Sequence, residues 1–339
     1  MAVGGGTGLS SLLRGLKRYA GIPWGPAAGG GRPEQPRVEV TAVVTVTDDG
    51  GSSGRLRRQL DMAPPGDIRS CMVALSEDEA VLARLFQYRF ARGHGLKGHN
   101  FGNLFLTALT GLTGDFAHAV KLSCEVLASR GRIFPSTVAH VTLQAELESG
   151  AVVLGETRIS RSRSRIRRIT LKPRNCQPLP ETLEAIAGAD LICLGPGSLY
   201  TSVIPNLLVK GIPDAIRRSG ALKVCFVNLM WQRGETMGFT ASDHLKTIEQ
   251  HAGPGLVDVA AVNTRPVSRE LRRRYEAARV LPVENDLDEL ARMGVHVVGR
   301  ALLASAPNVR HDPEATAAVA LELAGQGRLR RHPPAASSF

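Results

Sequence analysis

The chain has 339 residues, 43% of them hydrophobic but only 4% aromatic, and a formal net charge of +11. This is enough for one large α/β domain or two small ones with an aliphatic core, and no apolar run reaches the roughly twenty residues a membrane-spanning helix needs. The basic balance suits acidic ligands and leaves nucleic acid open. Five scattered cysteines, Cys71, Cys124, Cys176, Cys193 and Cys225, show no metal-ligand spacing. With no secretory signal visible, a reduced, cytoplasmic chain is expected.

Met1-Ala2-Val3 is a stub of strand that runs into Gly4-Gly5-Gly6-Thr7-Gly8-Leu9-Ser10-Ser11. Leu9, Leu12, Leu13 and Leu16 then recur at helical spacing. A glycine turn between strand and helix lets backbone N–H groups close on an anion at the positive end of the helix dipole. Thr7 and Ser10 add hydroxyls, although such a turn can also be bare structure. Residues 21–36, rich in Gly and Pro, read as a flexible surface loop.

Val38 to Val46 is a β-branched run that predicts a buried parallel strand. It ends in Thr47-Asp48-Asp49-Gly50-Gly51-Ser52-Ser53-Gly54, a second glycine-rich turn with two acids. A turn at Pro64 to Arg69 opens a helix with Asp67 near its start. Helices are predicted over 77–90, 103–112 and 115–128, with a polar glycine loop at 93–102. Strands over 138–147 and 151–159 flank a Ser149-Gly150 turn, and 166–171 is a third strand after the basic run Arg161 to Arg165.

A short helix over 180–187 precedes the strand 190–194, which ends in Gly195-Pro196-Gly197-Ser198-Leu199-Tyr200-Thr201-Ser202. Further strands are expected at 223–228, 257–263 and 295–299. Helices are expected through Leu207 and Leu208 and at 215–219, 241–251, 269–278 and 313–324. Beyond Gly325 the chain is basic and Pro/Ser-rich and reads as a disordered tail. The β/α alternation predicts a Rossmann-like open, mostly parallel sheet with helices on both faces. Residues 138–171 would be an antiparallel excursion from a single domain over 1–325, with 326–339 as the tail.

In such sheets ligands bind outside the carboxyl ends of the strands, at the point where strand order reverses. Loops Gly4 to Ser10, Asp48 to Gly54, Gly195 to Ser202, and Asn228 with residues 231–240 should therefore converge in one crevice. The two glycine turns, at Gly5-Gly6-Thr7-Gly8 and Gly195-Pro196-Gly197-Ser198, would together hold a diphosphate. Asp48 and Asp49 fit a Mg²⁺ beside that diphosphate, ribose hydroxyls, or simple turn capping. Ser52 and Ser53 fit helix caps or phosphate donors, and Asp67 a cap or a catalytic acid. His99, in the polar loop, fits a proton donor or a phosphate contact. Asn228 and Asn263 fit reading of a base or tying of a turn, and Glu235 fits a base or a capping partner. The turn at Gly4 lacks the full dinucleotide spacing, there is no Walker A lysine, and no aromatics interleave the basic stretch. A nicotinamide dehydrogenase, a P-loop enzyme and a specific nucleic-acid binder are all disfavoured.

The long motifs at Gly4 to Ser10, Asp48 to Leu56, Pro64 to Arg69, Gly102-Asn103-Leu104-Phe105-Leu106, Gly195 to Ser202 and Arg310-His311-Asp312 resemble those of the YvcK/CofD-like family, over residues 2 to about 323. The resemblance implies a Rossmann-like fold and binding of UDP-sugars, chiefly UDP-N-acetylglucosamine. It further implies a cytoplasmic regulator that links gluconeogenic carbon metabolism to cell-wall synthesis and cell shape, with partners in cell-envelope metabolism. Self-association is left open. The implied nucleotide site takes in Gly5, Gly6, Thr7, Gly8, Leu9, Ser10, Asp48, Asp49, Ser52, Ser53, Asp67, His99, Asn103, Gly195, Pro196, Gly197, Ser198, Tyr200, Thr201, Asn228, Glu235 and Asn263. It is completed by Tyr275, which could stack on uracil, and Arg310, which could pair with a phosphate. The transferase branch of the family, which moves a phospholactyl group onto a deazaflavin precursor with Mg²⁺, is the alternative. The Asp48 to Ser53 motif resembles the regulator branch. Departures are Ser70, the Trp231-Gln232-Arg233 loop and a first strand shorter than the resemblance implies, which suggests a start upstream of Met1.

Overall fold

A computed structural model describes residues 1–23, 37–77 and 80–333. Most of the expected 21–36 loop, and the last six residues of the tail, lie outside the described residues. Ten strands form two sheets: β1 (Ala2–Gly4), β2 (Thr41–Val44), β3 (Arg132–Pro135), β4 (Thr142–Leu147), β5 (Val152–Leu154), β6 (Ile166–Lys172), β7 (Leu191–Leu194), β8 (Leu222–Phe226), β9 (Val259–Asn263) and β10 (His296–Arg300). The main sheet is seven-stranded in the order β10-β9-β8-β7-β1-β2-β3, and its strand pairs are parallel. The second sheet is antiparallel, in the order β5-β4-β6.

The expected Rossmann-like architecture and its antiparallel excursion are thus both present. Every residue of the central strands β2 and β7 is buried, as their largely apolar sequences require when helices cover both faces. The chain lays down β1, β2 and β3 in one direction, then returns to start β7 on the other side of β1. Strand order therefore reverses between β1 and β7.

The helix Gly6–Leu16 buries Leu9, Leu12, Leu13 and Leu16 and packs against the helices Gly66–Leu75 and Pro313–Arg331. Gly15 is what allows the last approach, because a Cβ there would collide with the Pro313 carbonyl.

Four expectations need correction. The tail does not begin at 326: the last helix runs on to Arg331, with Leu321 and Leu323 buried. Arg328 and Arg331 both pair with Asp190, at 3.4 and 3.2 Å, so the basic residues fix this end instead of freeing it. The second excursion strand stops at Leu154, and Glu156–Ile159 is a helical turn. Gly155 at φ +91 breaks the strand, and Asp49 accepts the Thr157 N–H at 2.9 Å, a long-range bond that local pattern does not encode. The helix expected over 77–90 covers Ala80–Gln87. Finally, β3 was not anticipated: four residues that include Pro carry little periodic signal, yet β3 forms the edge of the parallel sheet beside β2.

Candidate functional site

The crevice is built where strand order reverses. β1 ends at Gly4 and the chain turns through Gly5 into the first helix, with Gly6 at φ +63. β7 ends at Leu194 and turns through Gly195, at φ +79, into a wide helical turn over Leu199–Val203, where the Val203 N–H reaches back five residues to the Ser198 carbonyl at 3.0 Å. Such single wide turns cluster at functional sites.

The two turns are in contact. A Cβ on Gly8 would lie 2.5 Å from the Pro196 carbonyl oxygen and 2.8 Å from the Gly197 Cα. A Cβ on Gly197 would lie 3.5 Å from the Gly5 carbonyl oxygen. At Gly8 only glycine permits that approach. At Gly6, by contrast, the nearest atoms to a built Cβ are Ser202 Oγ at 3.8 Å and Asp67 Oδ1 at 4.0 Å, so open space lies between the turns there. Asn206, fully buried, donates to the Gly4 carbonyl at 3.2 Å and the Ser202 carbonyl at 2.7 Å and so locks the two turns together. Sequence reasoning missed it, since an Asn inside an apolar helix carries no motif.

The loop after β2 closes one side. Gly66 lets Asp48 approach, for a Cβ there would sit 2.5 Å from Asp48 Oδ2. Asp48 Oδ1 accepts the Gly50 N–H at 2.9 Å, which is turn capping. Asp49 Oδ1 accepts both the N–H and the hydroxyl of Thr157, at 2.9 and 2.6 Å. Its second oxygen lies where a Gly155 Cβ would be. Asp49 therefore binds the excursion to the crevice. Among the described residues no group of three or more His, Cys, Asp or Glu is placed to hold a metal ion.

Asp67 is half-buried and accepts the Gly6 N–H; burial and the neighbouring Asp48 raise its pKa to about 7. Glu235, buried, accepts from the Tyr200 N–H at 3.1 Å and the Thr201 hydroxyl at 3.1 Å. It too is pushed up to about 7 by burial, against the pull of those bonds. It thus joins the loop after β8 to the turn after β7. Sequence reasoning also missed Glu156, which accepts from Thr47 Oγ1 at 3.4 Å. Burial first, then Asp67, Asp48, Glu235 and Asp49, raises Glu156 to about 9. Three carboxyl groups with raised pKa values thus surround one anion-binding geometry, an arrangement typical of functional sites.

The remaining expected residues fall into place around this centre. Leu9 is core, Thr7 is exposed, and the Ser10 hydroxyl donates to the Gly6 carbonyl at 2.9 Å. Ser198 accepts from Gln232 Nε2 at 2.8 Å, and Asn228 donates to Gln232 Oε1 at 3.0 Å. Gln232, not anticipated, thereby relays between the loops. Asn228 and Asn263 also line a cavity of about 240 Å³ with Arg265, Arg272, Pro282 and Asn285. Asn263 itself ties its own turn, taking the N–H groups of Arg265 and Leu302 at 3.1 and 3.0 Å.

Ser52 and Ser53 are buried in the first turn of the helix Gly51–Leu60, which Gly50 caps. Ser52 bonds His99 Nδ1 at 3.0 Å, and Ser53 accepts from Asn103 Nδ2 at 3.3 Å. His99, expected as a proton donor or phosphate contact, is only 4% exposed, with burial and then Arg55 and Arg89 lowering its pKa, and its bond to Ser52 ties the polar loop to that helix. Tyr275 packs in a small second apolar cluster with Leu229, Met230, Val280 and Leu303, its hydroxyl accepting the Val309 N–H at 3.1 Å. Arg310 is exposed.

A larger cavity, about 510 Å³, opens at the opposite edge of the sheet beside Met1, Val40, Thr41, Asp190 and Leu191. It lies at the amino ends of the strands, away from both glycine turns, so size alone does not make it the site.

An open parallel sheet whose order reverses between two touching glycine turns defines an α/β protein with a crevice outside its carboxyl strand ends, the place where open α/β sheets bind their ligands. The CofD family, described as 2-phospho-L-lactate transferase CofD, matches residues 1–303, and the chain belongs to that family. More particularly, it is similar to the gluconeogenesis factor of Bacillus subtilis, 46% identical over 94% of this chain and 96% of the relative. It is also 46% identical to the gluconeogenesis factor of Halalkalibacterium halodurans, over 94% of each chain. A crystal structure of a Bacillus halodurans protein superimposes with a TM-score of 0.87 at 45% identity, covering 94% of this chain and 98% of that one. The YvcK-type resemblance read from the motifs is therefore met.

Proposed function

We propose that this chain is a cytoplasmic regulator that binds a nucleotide sugar, UDP-N-acetylglucosamine, and links gluconeogenic growth to cell-wall synthesis and cell shape through protein partners. The observation that carries the binding is the contact of the two glycine turns at Gly8 and Pro196–Gly197, with open space beside Gly6. Backbone N–H groups from both turns can face one diphosphate there, at the positive end of two helical segments. The cavity at Asn228 and Asn263, at the carboxyl ends of β8 and β9, suits the base. The relatives' name supports the metabolic role. Among the described residues no helix is long and apolar enough to cross a membrane.

A second reading, transferase activity, is favoured by one observation: Asp67 and Glu235 line the crevice as acids whose pKa values, raised to about 7 by burial, suit proton exchange near neutral pH. The test is incubation with Mg²⁺, a deazaflavin acceptor and either UDP-N-acetylglucosamine or lactyl-diphospho-guanosine. Ligand binding without product supports the regulator. A new phosphodiester that disappears in Asp67→Asn supports the transferase.

A further inference from the structure

Residues 158–174 contain eight cations, Arg158, Arg161, Arg163, Arg165, Arg167, Arg168, Lys172 and Arg174, and no acid. All eight are exposed. Some surface arginines elsewhere have acid partners, as do Arg130 with Glu77, Arg132 with Glu39 and Arg300 with Glu322. Here, among the described residues, only Arg167 has an ion-pair partner, Glu146 at 3.1 Å. Like charges held together without counter-charges repel, so a fold that keeps them bare retains a surface suited to an acidic occupant.

The backbone under these side chains is fixed. In Arg161-Ser162-Arg163-Ser164-Arg165 the arginines are exposed and the serines half-buried. The Ser162 N–H donates to the Ile159 carbonyl at 2.9 Å, the Ser164 N–H to Ser162 Oγ at 3.3 Å, and the Arg165 carbonyl accepts from Glu148 at 2.9 Å. A preformed turn loses little further entropy on binding. The turn also packs on the crevice, since a Cβ on Gly234 would strike the Ser160 carbonyl, one residue from Glu235.

The turn feeds into β6, and the sheet it joins presents a mixed outer face. Cross-strand register places Val152, Glu146 and Arg168 in one row, and Leu154, Gln144 and Thr170 in the next. Val152 and Leu154 stand 59% and 47% exposed beside the cations. No Phe, Trp or Tyr occurs between Phe134 and Tyr200, so the Arg161–Arg165 turn and β4 to β6 carry no such ring of their own for stacking bases. Exposed aliphatic groups next to arginines suit a chain that carries both acids and apolar side chains.

We infer that the Arg161–Arg165 turn and the outer face of β5-β4-β6 form a docking surface for an acidic, leucine-bearing segment of a partner protein. The inference does not depend on the crevice holding a nucleotide sugar.

The probe is a fluorescein-labelled 18-residue peptide of Glu-Glu-Leu repeats, titrated with the full chain by anisotropy at 150 mM salt. Its Gln-Gln-Leu counterpart, a 24-base-pair DNA duplex and vesicles containing anionic lipid serve as competing arms. The expected result is saturable binding of the Glu peptide alone. It should fall at least tenfold in Arg161→Gln/Arg163→Gln/Arg165→Gln and, separately, in Val152→Asp/Leu154→Asp, with Tm held near wild type. Three results overturn the proposal: no binding of the Glu peptide, equal binding by wild type and both variants, or tighter binding of DNA or vesicles than of the peptide.

Discussion

Replacing Gly6 by alanine separates the binding role of the first turn from its structural role. Gly6 lies at φ +63, where an L side chain costs about 1–2 kcal/mol of backbone strain. Against a stability on the order of 5–15 kcal/mol this leaves the protein folded, with Tm lower by roughly 2–4 °C per kcal/mol. The new methyl meets no collision, because the nearest atoms to it are 3.8 and 4.0 Å away. It enters the space between the turns where a phosphoryl oxygen would take backbone N–H groups. Loss of one or two hydrogen bonds to a charged group, about 1.5–3 kcal/mol each, lowers affinity on the order of 10- to 1,000-fold or more. Calorimetric titration of UDP-N-acetylglucosamine alongside scanning calorimetry reads both quantities on one preparation. A folded Gly6→Ala protein with wild-type affinity would refute the assignment of that space to the ligand.

Three further outcomes follow from named contacts. Asp67 and Glu235 near 7 and Glu156 near 9 are protonated in the folded chain where the unfolded chain is ionised. The native state thus binds more protons, and stability is greatest near the ordinary carboxylate pKa and falls as pH rises through 7 to 9. Chemical denaturation across pH should show this slope, and Glu156→Gln should flatten its upper part; stability rising over that range would contradict the burial argument. An added diphosphate raises the same pKa values, so nucleotide-sugar affinity should weaken from pH 6 to 9, with proton uptake measurable by calorimetry in buffers of different ionisation enthalpy. Asp49→Ala removes the acceptor of both Thr157 bonds and should cost about 1–3 kcal/mol while speeding hydrogen exchange over 155–160. Unchanged exchange there would mean that Asp49 does not hold the excursion to the crevice.

The sequence made the parallel sheet legible because its strands are buried on both faces and read as unbroken apolar runs, such as Leu191–Leu194. The glycine turns were legible for a related reason, in that backbone crowding at Gly8 leaves no choice of residue. What stayed hidden acts at long range. Glu156 reaches Thr47 across 109 residues, and Asn206 reaches Gly4 across 202. Neither partner alters the local pattern around the other. The helical turn at Glu156–Ile159 hid for the same reason, its Thr157 N–H being satisfied from Asp49. His99 misled because a polar, glycine-rich neighbourhood resembles an exposed loop, yet Ser52 holds it inside. The arginines of the last helix looked like a tail until Asp190 supplied their partner.

On the function proposed above, the two touching glycine turns hold the diphosphate of a nucleotide sugar. Its most direct test is calorimetric titration of the wild-type chain with UDP-N-acetylglucosamine, set beside UDP, N-acetylglucosamine and GDP. One site per chain is expected, with saturable binding of the nucleotide sugar and of UDP and none of the free sugar. Heat from no nucleotide at all, or equal binding of the sugar without its diphosphate, would contradict it.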